Sequence, residues 1–80
     1  MKSIQADHNW QQLTDGTNRI RLQVVAGSVL YTESESVPAA DAPGFSLYTD
    51  GWIWDIGPEK SWCRSKDVTP AIIVIGEVTV

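Results

Sequence analysis

Arg19-Ile20-Arg21-Leu22-Gln23-Val24 alternates polar and aliphatic side chains at every step. A period of two fits an extended strand, whose successive side chains point to opposite faces, and fits no helix. Ile20, Leu22 and Val24 therefore share a core face, while Arg19, Arg21 and Gln23 face water. The same alternation recurs along the chain without any sustained 3.6-residue repeat, which predicts an all-β domain. Asp15-Gly16 precedes the first clear strand. Asp-Gly supplies the positive φ angles of tight hairpins, so Trp10–Leu13 is predicted to pair with Arg19–Val25. Gly27-Ser28 then turns the chain into Val29-Leu30-Tyr31-Thr32-Glu33, a third strand rich in β-branched and aromatic residues.

From Ser34 to Gly44 the composition changes to Ser, Ala, Pro and acid, with Pro38 and Pro43 restraining the backbone, which predicts a long surface loop. Phe45 to Thr49 resumes the strand pattern and Asp50-Gly51 repeats the hairpin signal. Trp52-Ile53-Trp54-Asp55-Ile56 follows with Trp52, Trp54 and Ile56 on one face. After Gly57-Pro58-Glu59, Ser61 to Ser65 forms a short strand. The final run, Ala71 to Val80, is apolar on both faces in its first half, as in a central strand covered on two sides. Six or seven short strands at spacings of about ten residues predict a small antiparallel β-sandwich or partly open barrel. Residues 1–80 read as one domain with a polar N-terminal leader, residues 1–9, in which His8 is solvated.

At 80 residues, a domain buries only about 60–65% of the surface its unfolded chain exposes. One Cys cannot close an intrachain disulfide, and one distant His gives no zinc-ligand spacing, so no metal or cofactor is implied. Self-association or a larger partner is the expected supplement to so small a core. No apolar run reaches the length of a membrane span, and no apolar segment follows Lys2 as in a secretory signal. The expected site of synthesis is a cytoplasm. A net charge of −4 opposes nonspecific binding to nucleic acid.

Asp50, Asp55 and Glu59 flank two tryptophans, as the carboxylates of a glycosidase flank sugar-stacking rings. Each has a simpler place, Asp50 and Glu59 in turns and Asp55 on the polar face of a strand, so no catalytic residue is assigned and the chain is not expected to be an enzyme. Cys63 alternates with Ser61 and Ser65 and reads as a small inward residue.

Lys60-Ser61-Trp62-Cys63-Arg64-Ser65-Lys66 is more pointed, since a strand here puts Lys60, Trp62, Arg64 and Lys66 on one face. Such a row suits single-stranded nucleic acid, a cation–π ladder, a partner anchor, or merely a solvated edge guarded by lysines. The anchor reading is preferred, because Glu33-Ser34-Glu35 and Asp41 offer complementary charge across a subunit boundary. Val37, Pro38 and Pro43 of the long loop join it as expected partner-binding residues. Tyr48, Trp52 and Trp54 form an alternative platform for carbohydrate, unless Trp52 and Trp54 follow Ile56 into the core and their indole N–H groups find buried acceptors.

Val29-Leu30-Tyr31-Thr32-Glu33-Ser34-Glu35-Ser36-Val37-Pro38, followed by Gly44-Phe45-Ser46-Leu47 and Gly51, resembles small virion proteins of tailed bacteriophages. Ser61-Trp62-Cys63-Arg64-Ser65 and the Val/Ile-rich terminal strand extend the resemblance, which covers about residues 20–80. It implies a compact β-sandwich that coats a capsid or forms part of the neck, tail or fibre. It carries over no active site. The resulting expectation is a noncatalytic, homo-oligomeric head decoration (cement) protein located in the virion and bound to the major capsid protein. The alternative is a carbohydrate- or receptor-binding module of a tail or fibre.

Overall fold

Eight short strands occupy the period-two segments: β1 (Lys2–Ala6), β2 (Gln11–Asp15), β3 (Ile20–Ala26), β4 (Ser28–Glu33), β5 (Phe45–Tyr48), β6 (Trp54–Ile56), β7 (Lys60–Ser65) and β8 (Ala71–Glu77). The computed structural model describes residues 1–78, so the last two positions of the predicted final strand lie outside the described residues. The strands form two four-stranded sheets, β1-β8-β3-β6 (sheet A) and β2-β7-β4-β5 (sheet B). The pairings nest: β1 with β8, β2 with β7, β3 with β6 and β4 with β5, all antiparallel. A long antiparallel ribbon is thus rolled on itself, and β3–β8 and β4–β7 join its turns into sheets. This is jelly-roll connectivity, so the expected small antiparallel sandwich is present, with eight strands.

The two sheets contribute unequally to the interior. Sheet A supplies branched aliphatics, with Leu22 and Ile73 completely buried and Ile20, Val24, Ile56 and Ile75 nearly so. Sheet B supplies Val29 and Leu47, but its β7 sends in only Ser61, Cys63 and Ser65. Small inward side chains let β7 approach sheet A closely, and their hydroxyls need partners once out of water. Thr14 Oγ1 donates to Glu59 O and lies against Ser61 Oγ, while Ser65 Oγ lies 2.6 Å from Thr69 O and 3.0 Å from Asp67 O.

Several sequence expectations are corrected. Trp10–Leu13 does not pair with Arg19–Val25, because β2 pairs with β7 and β3 lies between β6 and β8. Asp15-Gly16 does make the local reversal: Gly16 has φ 98° and Asp15 Oδ1 accepts from Thr17 N at 2.9 Å. Asp50-Gly51 behaves alike, with Gly51 at φ 78° and Trp52 N donating to Asp50 Oδ1 at 2.9 Å. Each turn carries the chain across the sandwich, because a tight turn sets direction and leaves the partner to whatever buries the apolar faces. The polar leader contains β1, whose Ala6 is fully buried against β8. Trp52 precedes its strand and is 63% exposed. Finally, β8 is central but covered on one face only: Ile73 and Ile75 are buried, whereas Ile72 is exposed and Val74 half-buried.

Candidate partner and ligand surfaces

β7 alternates as predicted, with Ser61, Cys63 and Ser65 inside and Lys60, Trp62 and Arg64 half-buried on the outer face of sheet B. Lys66 continues the row just past the strand, exposed. The long loop closes back over this face and is held there by two indoles. Trp62 Nε1 donates to Ser34 O at 2.9 Å, and Trp10 Nε1 donates to Ala39 O at 2.8 Å. Both rings keep an apolar body against the sheet and give their polar edge to the loop, as an amphipathic ring does at a half-buried site.

The cations of the row are engaged within the chain. Lys60 Nζ lies 3.6 Å from Glu35 Oε2, the Arg64 guanidinium sits 5.3 Å from the centroid of the Trp10 ring, and Lys66 Nζ donates to Tyr48 OH at 2.9 Å and Ser46 Oγ at 3.0 Å. Glu35 therefore complements the row inside one molecule. Of the loop residues expected to bind a partner, Val37 and Pro43 are exposed and Pro38 is half-buried.

The platform residues Tyr48, Trp52 and Trp54 are divided between two surfaces. Tyr48 belongs to the outer face of sheet B, where the hydrogen bond and charge of Lys66 hold its phenol below the usual tyrosine range. Trp52 and Trp54 lie side by side at the edge of sheet A, ring centroids 6.2 Å apart and tilted by 56°. Trp54 faces a groove of about 430 Å³ between the two edge strands β5 and β6, together with Tyr31, Glu33, Phe45, Asp55 and Ile56.

Tyr31 and Phe45 are the groove residues that sequence reasoning missed. They face each other in the β4–β5 register, with ring centroids 6.4 Å apart and planes 30° apart. Gly44 makes the approach possible: a Cβ there would stand 2.6 Å from Tyr31 O. Two aromatics at the ends of a long loop were the available signal, but the loop's length hides which residues come opposite. Tyr31 OH donates to Glu33 Oε2 at 2.9 Å, and burial followed by that carboxylate drives the Tyr31 phenol well above the ordinary range. Trp54 Nε1 is buried with no acceptor among the described residues.

The outer face of sheet A is a third surface. Val25 and Ile72 on strands and Ile53 beside β6 are exposed, and Arg21, Gln23, Ile53 and Val74 line a shallow depression of about 240 Å³.

The titratable groups weighed for chemistry are dispersed. Asp50 is occupied in its turn, Asp55 stands opposite Arg21 in the β3–β6 pair, and His8 and Glu59 are exposed. Cys63 is fully buried, and burial pushes its thiol up to about 12, the state of an inert packing residue. Comparison of the chain with protein-family models, with curated proteins and with solved structures finds no match.

Proposed function

We propose that this protein is a noncatalytic structural component of a tailed-phage particle, a head decoration protein that stabilises the shell through contacts with the capsid and with its own copies. The observation that carries the reading is β8. Its sequence is apolar on both faces, as in a strand covered twice, yet the fold covers it once and leaves Ile72 exposed beside Val25, with Val74 half-buried between strands. A neighbouring subunit supplies the second cover. Burial is worth about 25 cal/mol per Å² of apolar area, so each copy adds a modest increment that a symmetric lattice sums. The jelly-roll topology is compatible with this reading, since that architecture recurs in viral capsid and lectin domains, although a fold by itself assigns no function. The phage resemblance of residues 20–80 supports it independently of topology.

The outer face of sheet B serves a second role in the proposal. There the loop strapped over Lys60, Trp62, Arg64 and Lys66 presents Val37 and Pro43 to a partner on a preorganised surface, which lowers the ordering cost of association. Co-sedimentation with heads assembled from the shell protein of the same phage tests the reading. Ile72→Asp is expected to abolish head binding while leaving the isolated domain folded, and Trp62→Ala to weaken it by releasing the loop. Heads that take up neither the parent protein nor the variants, and that melt at the same temperature with and without it, would refute the proposal.

A further inference from the structure

At the open edge of the sandwich, β4, β5 and β6 border a groove of about 430 Å³, within the size range of small-ligand sites, about 300–1,000 Å³. Strand alternation decides which side chains face it. Val29 and Leu47 are paired and buried, so Tyr31, its register partner Phe45, and Glu33 two residues on share the inward side of sheet B. Across the gap Ile56 is buried, so Trp54 shares its inward side while Asp55 points outward, opposite Arg21. Ser46 is also turned outward, where its hydroxyl accepts from Lys66. The walls are therefore the rings of Tyr31, Phe45 and Trp54, over a floor of Leu47 and Ile56, and the one charge facing the groove is Glu33. Trp54 contributes carbon surface only, because its Nε1 is buried.

The rings of this groove lack what other rings of the chain have. On the outer face of sheet B the Arg64 guanidinium lies 5.3 Å from the Trp10 ring centroid, and Lys66 Nζ lies 5.0 Å from that of Tyr48. No Lys or Arg among the described residues lines the groove, although Phe45 is 71% exposed and a carboxylate stands beside it. The missing partner is a cation, and the walls narrow its kind. A wholly apolar ligand would take water from Glu33 and return nothing to its charge. An anion meets Glu33 on a chain of net charge −4. A primary ammonium, a guanidinium or a polyol brings several N–H or O–H donors, and the only inward acceptor, Glu33, already accepts from Tyr31 OH at 2.9 Å. A quaternary ammonium has no donor to satisfy, and its charge is spread over methyl groups that pack on ring faces.

We infer that the β5–β6 groove binds a small quaternary ammonium cation of the choline type, with Tyr31, Phe45 and Trp54 around the trimethylammonium group and Glu33 balancing its charge. The inference does not rest on the capsid reading, since the groove lies apart from the outer faces of both sheets. It also differs from a Tyr48–Trp52–Trp54 platform, because Tyr48 is committed to Lys66 on another surface.

Aromatic proton–carbon correlation spectra of the full chain test it. Phe45 is the only phenylalanine, so its ring signals assign themselves, and Tyr48→Phe identifies those of Tyr31. Choline chloride is expected to shift the Phe45 and Tyr31 signals and to leave Tyr48 in place, while sodium chloride at matched ionic strength moves none of them. Dimethylbutanol, in which an uncharged tert-butyl group replaces the trimethylammonium, is expected to bind about fivefold more weakly. Arginine amide and phosphocholine are also expected to bind more weakly than choline, the first for its unpaired donors and the second for its phosphate beside Glu33. Phe45→Leu keeps the apolar bulk and removes the ring face, and Glu33→Gln keeps an acceptor for Tyr31 and removes the charge. Both positions are exposed, and each variant is expected to weaken choline about threefold while leaving dimethylbutanol unchanged. The inference fails if choline leaves the Phe45 and Tyr31 signals in place, if dimethylbutanol, arginine amide or phosphocholine binds as tightly as choline, or if both variants bind choline as the parent does.

Discussion

The two sides of the sandwich are built differently. On one, β1 and β2 succeed each other across the sheets, and the seam is stitched: Ser65 N donates to Asp7 O at 2.6 Å and Gln11 Nε2 to Gln5 O at 3.3 Å, beside the fully buried Ala6. On the other, β5 and β6 also succeed each other across the sheets, yet no main-chain hydrogen bond joins them among the described residues and aromatic rings fill the gap. Side-chain size accounts for the contrast. The small Ala6 lets the end of β1 come within main-chain hydrogen-bonding distance of β7, whereas Tyr31, Phe45 and Trp54 stand between the edges and leave a groove lined by their own faces. An open edge is ordinarily a liability that a protein covers or blunts. Here it is short, and aromatic side chains rather than main chain fill it.

The contrast can be broken most sharply by placing one charge on each side. Ala6→Asp, on the stitched side, is expected to cost about 3–5 kcal/mol because it buries an unpaired carboxylate. Phe45→Asp, on the open side, is expected to cost less than about 1 kcal/mol, as most exposed substitutions do. Urea unfolding of both variants measures the difference, and equal losses would mean that the two seams are alike. Thr14→Val is next in size. It removes the bond to Glu59 O and leaves the buried Ser61 hydroxyl short of a partner, for an expected loss of about 1–3 kcal/mol by the same measurement.

Alkali probes the open side through Tyr31. A phenol whose titration is raised by folding binds its proton more tightly in the native state, so its contribution is complete below the ordinary tyrosine range and is lost as pH rises above about 10. Cys63 adds a loss of the same sign, beginning above its ordinary value near 9 and complete past about 12. Denaturation curves across that range should fall with pH, and Tyr31→Phe should flatten the upper part of the fall. Trp10→Phe keeps the ring under Arg64 and removes the bond to Ala39 O, so it should cost about 1 kcal/mol and speed proteolysis within residues 34–44. The smallest effect is expected for Glu35→Gln. Its pairing with Lys60 joins two largely exposed groups and is worth no more than about 0.5 kcal/mol, a shift at the edge of detection in a thermal scan.

How much of this was legible in the sequence follows from the range of each signal. Alternation is local, so Ile20, Leu22 and Val24 were readable as inward and Lys60, Trp62 and Arg64 as outward from their spacing alone. Partner choice is nonlocal. Six of the seven connections change sheet, only β4–β5 staying within one, and no dipeptide such as Asp15-Gly16 or Asp50-Gly51 records that. β1 was hidden because only Ile4 and Ala6 of its five residues are apolar, and its pairing partner β8 lies at the far end of the chain, from Ala6 with Ala71 to Lys2 with Ile75. The Trp62 row and the β5–β6 groove differ in how far the sequence shows them, and the Tyr48–Trp52–Trp54 platform is divided between two surfaces. The Trp62 row was visible as a face, but its coverage by the loop was not, since Ser34 and Ala39 contribute backbone oxygens that any residue carries. The groove was invisible as a unit because Tyr31, Phe45 and Trp54 come from three strands and meet only through the rolled topology.

Cys63 has a practical consequence. A reagent in solvent reaches its sulfur only when the sheets part, so the rate of alkylation counts openings of the folded state under conditions that do not denature it. Because the chain has this one thiol, that clock needs no engineering. Running it with heads present would convert any stabilisation by them into a change of labelling rate, read at a buried position inside the sandwich.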